Sequence, residues 1–192
     1  MNSPVLQRAG IVTWGVLALC VGFTLLTGAG SRPITVQFLF YPPLIYQGEI
    51  WRILTPAFLH FDMLGSPFLH LLFNGVIWLN FASAIECDEG RFRLLFLFIV
   101  SAILSNCVAY MIYGPGFGGL SGVVFALIGY LWWQGRSNPI LAMVMPKQMF
   151  LAFLGFLLIG FTGLFGNMAN MAHLAGLIIG IGFAMTCQLF WR

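Results

Sequence analysis

Long stretches of this chain carry no ionisable side chain, and that limits what it can fold into. Six apolar runs lie at about residues 9–29, 67–85, 94–113, 121–134, 148–165 and 169–190, and the Asp, Glu, Lys and Arg residues fall between them or at their ends. A bilayer core is crossed by roughly 20 predominantly apolar residues in helical form, and most of the runs approach that length. The fourth is short. A short helix cannot reach both interfaces, so one of its ends is expected inside the bilayer, against protein or water. The runs predict an all-α polytopic membrane protein with six transmembrane helices, forming a single domain over residues 1–192.

Composition agrees. The 192 residues are 60% hydrophobic and 7% charged, where a soluble domain carries about 25% charged residues. The net charge of +3 is small and spread out, so nucleic acid is not an expected partner. Cys20, Cys87, Cys107 and Cys187 show no metal-ligand spacing and are expected as free thiols. No sizeable soluble domain or repeat is visible. The apolar stretch of the first run is longer than the 7–15 residues of a signal-peptide core, so it is read as a retained helix.

Charge also sets orientation. With six helices, Arg8, Arg91, Arg93, Arg136, Lys147 and Arg192 share one side, and Arg32 and Arg52 the other. The positive-inside rule then places both termini in the cytoplasm. The first outward loop, about residues 30–66, carries Phe38, Phe40, Tyr41, Tyr46, Trp51 and Phe58 around Pro42-Pro43. Aromatic residues of this kind sit at the headgroup level, so the loop is expected in or against the outer leaflet, with Trp51 and Arg52 as interface anchors. Glu86 is expected to tie to Arg91 or Arg93 in a cytoplasmic turn.

Five polar residues remain at membrane depth: His70 and Asn74 in the second run, Ser121 opening the fourth, and Asn170 and His173 in the sixth. Polar groups there are costly and point to function. Ser66-Pro67 reads as a helix cap followed by proline at the first helical position, which starts the second helix on the outer side. His70 and Asn74 then share a face at i,i+4, and Asn170 and His173 are i,i+3 neighbours. All five residues converge below the outer face. Gly122, Ala126 and Gly129 on the fourth helix, and Gly176 and Gly180 on the sixth, let the two helices approach closely. That approach would bring Ser121 within reach of His173, and a serine beside an imidazole is the minimum for an activated nucleophile. Gly118 and Gly119 would let the incoming loop turn tightly and aim backbone N–H groups at a developing oxyanion, with His70 and Asn74 as further donors.

These residues also form a recognisable set. Gly119-Leu120-Ser121-Gly122 resembles the GxSG motif of rhomboid intramembrane serine proteases. Ala172-His173-Leu174-Ala175-Gly176 resembles their AHxxG, His70 to Asn74 their HxxxN, and Trp51-Arg52 the WR of their first loop. The motifs appear in order over nearly the whole chain, and the likeness is to the compact six-helix bacterial type, GlpG-like. The resemblance implies a serine endopeptidase of the bacterial inner membrane that cuts transmembrane-helix substrates near the outer interface, without metal or cofactor. Ser121 would be the nucleophile and His173 the base and acid, with His70 and Asn74 at the oxyanion. Gly119, Gly122, Phe125, Asn170 and Gly176 would be supporting residues. It further implies that the fifth helix, with Phe150, Phe153, Phe156, Phe161 and Phe165, and the loop after it act as gate and cap. Its partners would be transmembrane substrates and lipids.

Two features depart from that pattern. Phe125 stands where GlpG-like members often have tyrosine, and it can still pack its ring against His173. The spacing from His60 to His70 is wider, with residues 62–67 looking like an insertion, and Pro56 stands where a histidine is often found. Two other readings fit less well. A catalytically silent rhomboid-like protein that binds transmembrane helices typically lacks the serine or the histidine, and both are present. A small transporter would be expected to carry buried acids or an inverted repeat, and neither is visible.

Overall fold

The structure, a computed structural model, describes residues 9–63, 66, 68–164 and 168–190, the last without its side chain. Six longer helices stand among these residues: α1 (Ile11–Thr27), α2 (Leu69–Glu89), α3 (Arg91–Tyr113), α4 (Ser121–Gln134), α5 (Lys147–Gly160) and α6 (Asn170–Phe190). Leu69–Glu89, Arg91–Tyr113 and Asn170–Leu189 are long and apolar enough to cross a membrane. The apolar helices α1, α4 and α5 are shorter, at 17, 14 and 14 residues. At about 1.5 Å per residue, a 14-residue helix spans roughly 21 Å, short of a hydrocarbon core of roughly 30 Å.

Each expected run falls on one of these helices, with shifted ends. The second helix continues past residue 85 to Glu89, and the third begins at Arg91, so polar residues extend both helices beyond their apolar cores. The fifth stops at Gly160, where a turn through Phe161 to Leu164 follows. Phe165 and Pro67 lie outside the described residues. Ser66 does not cap α2: it pairs through its backbone with Met63, and Phe68 precedes the first helical residue.

The core is built around α4. Its residues Gly122 through Leu131 are all buried, as befits a helix that is apolar on every side. Its principal neighbour is α6. A Cβ at Gly176 would collide with the carbonyl oxygen of Gly122, one at Gly180 with that of Ala126, and one at Gly129 with that of Leu177. A Cβ at Gly122 would lie 2.6 Å from the Ser105 hydroxyl of α3. Hydrogen at these positions is what allows the two backbones to meet, since lipid supplies no hydrophobic drive between helices.

Two sequence expectations are corrected at the periphery. Glu86 does not tie to Arg91 or Arg93. Its carboxylate accepts the N–H groups of Val12 and Thr13 (3.0 and 2.9 Å) and the Thr13 hydroxyl (2.6 Å). It therefore caps the N-terminus of α1, where orphan donors and the positive end of the helix dipole favour an anion. Arg93 pairs with Glu89 instead, at 3.5 Å. Arg52 is not an interface anchor but is 4% exposed. Its Nε donates to Glu49 (2.6 Å), and its Nη1 donates to the carbonyls of Val36 (2.7 Å) and Leu39 (3.1 Å). The Thr55 hydroxyl donates to Phe38 and the Trp51 indole to Gln37. The segment between α1 and α2 is thus a set of short helical turns closed around a guanidinium. Asn106 of α3 donates to the Ile53 carbonyl at 2.9 Å, which fastens that segment to the helices.

Candidate active site

Ser121 is the first residue of α4, preceded by Leu120. The first turn of a helix leaves its N–H groups without intrahelical partners. Gly119, two residues earlier, has φ of +129°, a conformation that favours glycine. Its N–H donates to the Pro56 carbonyl at 2.9 Å. That bond pins the loop to the turn before His60, so the Gly119 N–H is not among the backbone donors left open beside Ser121.

A Cβ at Gly119 would sit 2.7 Å from Nε2 of His70 and 3.7 Å from Oγ of Ser121. The imidazole and the hydroxyl therefore border the same small space, which the missing side chain keeps open. From α6, His173 is brought to Ser121 by the glycine contacts described above. Its Nε2 lies 2.8 Å from Oγ of Ser121. The Phe125 ring, one turn below Ser121, stacks on the His173 ring, with centroids 4.8 Å apart and planes 16° from parallel. His173 is 3% exposed, and its Nδ1 is enclosed without a hydrogen-bond partner among the described residues.

The remaining residues divide. Asn74 is buried on α2, with no hydrogen bond to the others among the described residues. Asn170 serves the ends of helices: its amide donates to the Gly160 carbonyl at 2.7 Å, tying α5 to the start of α6. Tyr113, not anticipated from sequence, accepts the Met171 N–H at 3.0 Å and holds the first turn of α6 against the end of α3. A lone tyrosine at a helix end carries no sequence signal for that role. His60 is fully buried, with Nδ1 at 3.1 Å from the Phe58 carbonyl and its ring edge-on to His70 at 5.0 Å.

Chemically, a hydroxyl hydrogen-bonded to an imidazole at a helix N-terminus, beside a second imidazole, is equipped for acyl transfer. Comparison with known proteins points the same way. The family model described as the Rhomboid domain matches residues 47–190. The chain is 38% identical over 194 residues to the rhomboid protease GlpG homolog of Cronobacter sakazakii, covering 99% of this chain and 68% of that protein. It is 36% identical over 185 residues to rhomboid protease GlpG of Salmonella choleraesuis, covering 95% and 65%. Against rhomboid protease GlpG of Klebsiella pneumoniae subsp. pneumoniae it is 36% identical over 147 residues, covering 76% and 51%. The chain thus spans from about half to about two thirds of the length of these relatives. The fold is that of an all-α integral membrane protein. The chain belongs to the rhomboid family.

Proposed function

We propose that this protein is an intramembrane serine endopeptidase that cuts transmembrane-helix substrates by a Ser121–His173 pair. The observation that carries the reading is the 2.8 Å contact between Nε2 of His173 and Oγ of Ser121, in a buried site shared with His70. The relatives that bear the name rhomboid protease support it.

Oγ of Ser121 attacks the scissile carbonyl carbon as its proton passes to Nε2 of His173. The carbonyl oxygen takes up the negative charge. The side chains of His70 and Asn74 and the free N–H groups at the start of α4 stabilise it, aided by the positive end of the helix. Collapse breaks the C–N bond, and Nε2 returns the proton to the leaving amine. Water, deprotonated by the same nitrogen, then hydrolyses the acyl ester and restores the serine. No third residue among those described hydrogen-bonds the imidazole, and the Phe125 ring holds its plane.

In this reading the protein is a single domain of the bacterial inner membrane, as its likeness to GlpG-like relatives suggests, and the distribution of its basic residues supports cytoplasmic termini. The Ser121 end of α4 then lies below the outer surface, where substrate helices would be cut. The test is labelling of the purified protein with a fluorophosphonate, followed by peptide mapping. Labelling at Ser121, lost in Ser121→Ala and His173→Ala, is the expected result. A folded protein that fails to label would favour a catalytically silent protein that binds transmembrane helices.

A further inference from the structure

The first turn of a helix leaves its N–H groups without intrahelical partners, and in α6 they are satisfied in two ways. The Asn170 N–H donates to the Met168 carbonyl at 2.8 Å, and the N–H groups of Ala172 and His173 donate to the Ala169 carbonyl at 2.9 and 3.3 Å. These acceptors lie just upstream, so they move with the segment that leads into the helix. The Met171 N–H instead reaches across the fold and donates to the Tyr113 hydroxyl at 3.0 Å.

Tyr113 is well placed to hold it. It is the last residue of α3, where Gly114 turns the chain with a φ of 68° and donates its N–H to the Tyr110 carbonyl. The helix that carries the phenol is itself fixed: Leu94, Leu97, Ala102 and Ala109 are fully buried, and Asn106 is bonded to Ile53. The glycine contacts at Gly176 and Gly180 hold α6 against α4 about one and two turns below His173. Tyr113 grips the turn that carries His173 from above, two residues before the imidazole. Among the described residues that imidazole hydrogen-bonds only Ser121, so its place depends on how its backbone is held.

We propose that Tyr113 is a positioning residue. By holding the Met171 N–H, its hydroxyl fixes the first turn of α6, and with it the place of Nε2 of His173 relative to Oγ of Ser121, whatever the segment leading into α6 does. The role rests on the protease reading above. The Tyr113 side chain is 41% exposed, so the oxygen can be removed with little change in packing. A single neutral hydrogen bond carries a modest free energy, and a base that is loosely held transfers its proton less often. Losing the hydroxyl is expected to slow the chemical step about three- to tenfold while leaving probe binding alone.

The experiment labels the full chain in detergent with a fluorophosphonate over a range of probe concentrations, which separates the limiting rate from the half-saturating concentration. Tyr113→Phe should lower the limiting rate about three- to tenfold and leave half-saturation unchanged. Met171→Pro deletes the N–H from the other side, in the first helical turn where proline is tolerated. Adding Tyr113→Phe to Met171→Pro should then cost nothing further. Amide hydrogen exchange of the peptide spanning residues 170–175 should quicken in Tyr113→Phe, a readout that does not depend on Met171→Pro folding. A limiting rate unchanged in Tyr113→Phe, a change confined to half-saturation, equal slowing in both backgrounds, or unaltered exchange would overturn the positioning role. Failure of the folded wild-type protein to label would overturn the protease reading, and the positioning role with it.

Discussion

The ring of Phe125 lies flat against the ring of His173, 4.8 Å between centroids, and the outer nitrogen of that imidazole has no hydrogen-bond partner among the described residues. A serine hydrolase usually fixes its histidine by a hydrogen bond at this nitrogen. Here the stacking face takes over the orientation. Aromatic pairs contribute about 0.5–1.5 kcal/mol beyond their burial, which corresponds to roughly a threefold to tenfold change in rate. Phe125→Ala is therefore expected to slow fluorophosphonate labelling of Ser121 by about that factor, while Phe125→Tyr keeps the wild-type rate. An unchanged rate in Phe125→Ala would show that the stack does not hold the imidazole.

The helices and the Ser121–His173 contact were legible because both follow from periodicity. Apolar length marks the helices, and small residues at i, i+3 and i+7 mark the faces that meet. Glu86 and Arg52 were not legible. Glu86 caps a helix that begins 75 residues earlier in the chain, and Arg52 closes on carbonyls of Val36 and Leu39. In both cases most of the partners are backbone groups, which every residue offers equally, so no residue type in the sequence betrays the long-range contact. The tight turn at Gly119 is legible from its residue type, but the Pro56 carbonyl that takes its N–H lies across the fold and leaves no local mark.

The α4–α6 seam gives a prediction with a control in the same chain. Gly176→Ala and Gly180→Ala each drive a methyl into a carbonyl of α4, whereas Gly15→Ala meets open space on α1. Overpacking of this sort costs about 1–3 kcal/mol. Thermal unfolding in detergent should shift downward for the two seam variants. Labelling of Ser121 should fall with it, since the seam sets the distance to His173. Gly15→Ala should match wild type in both. Equal behaviour of the three variants would mean that the seam is looser than its contacts imply.

Arg52 offers a test of burial against mere charge. Its guanidinium spends two nitrogens on three acceptors inside the first loop. Removing it leaves two carbonyls and a half-exposed Glu49 without partners, a change of about 3 kcal/mol or more for a buried network. Arg52→Ala should lower the unfolding temperature markedly. Arg52→Lys should recover little, because an ammonium cannot reproduce the planar fork. Recovery by lysine would show that the positive charge alone is what the loop needs.

His60 supplies the pH dependence. It lies outside the spanning helices, fully buried, and that burial, with His70 beside it, pushes its pKa from the ordinary 6.5 down to about 3. The folded protein keeps the ring neutral where the unfolded chain protonates it. Its contribution to stability is therefore fully present above pH 6.5 and is lost as pH falls from 6.5 toward 3. The slope approaches about 1.4 kcal/mol per pH unit for one proton. His60→Gln lacks the titrating group, so its unfolding free energy should fall less steeply than wild type over that interval, whatever its absolute stability. The comparison is made by denaturant unfolding of both proteins in detergent at a series of pH values. Parallel curves would mean that the His60 ring accepts a proton in the folded state as readily as in the unfolded one.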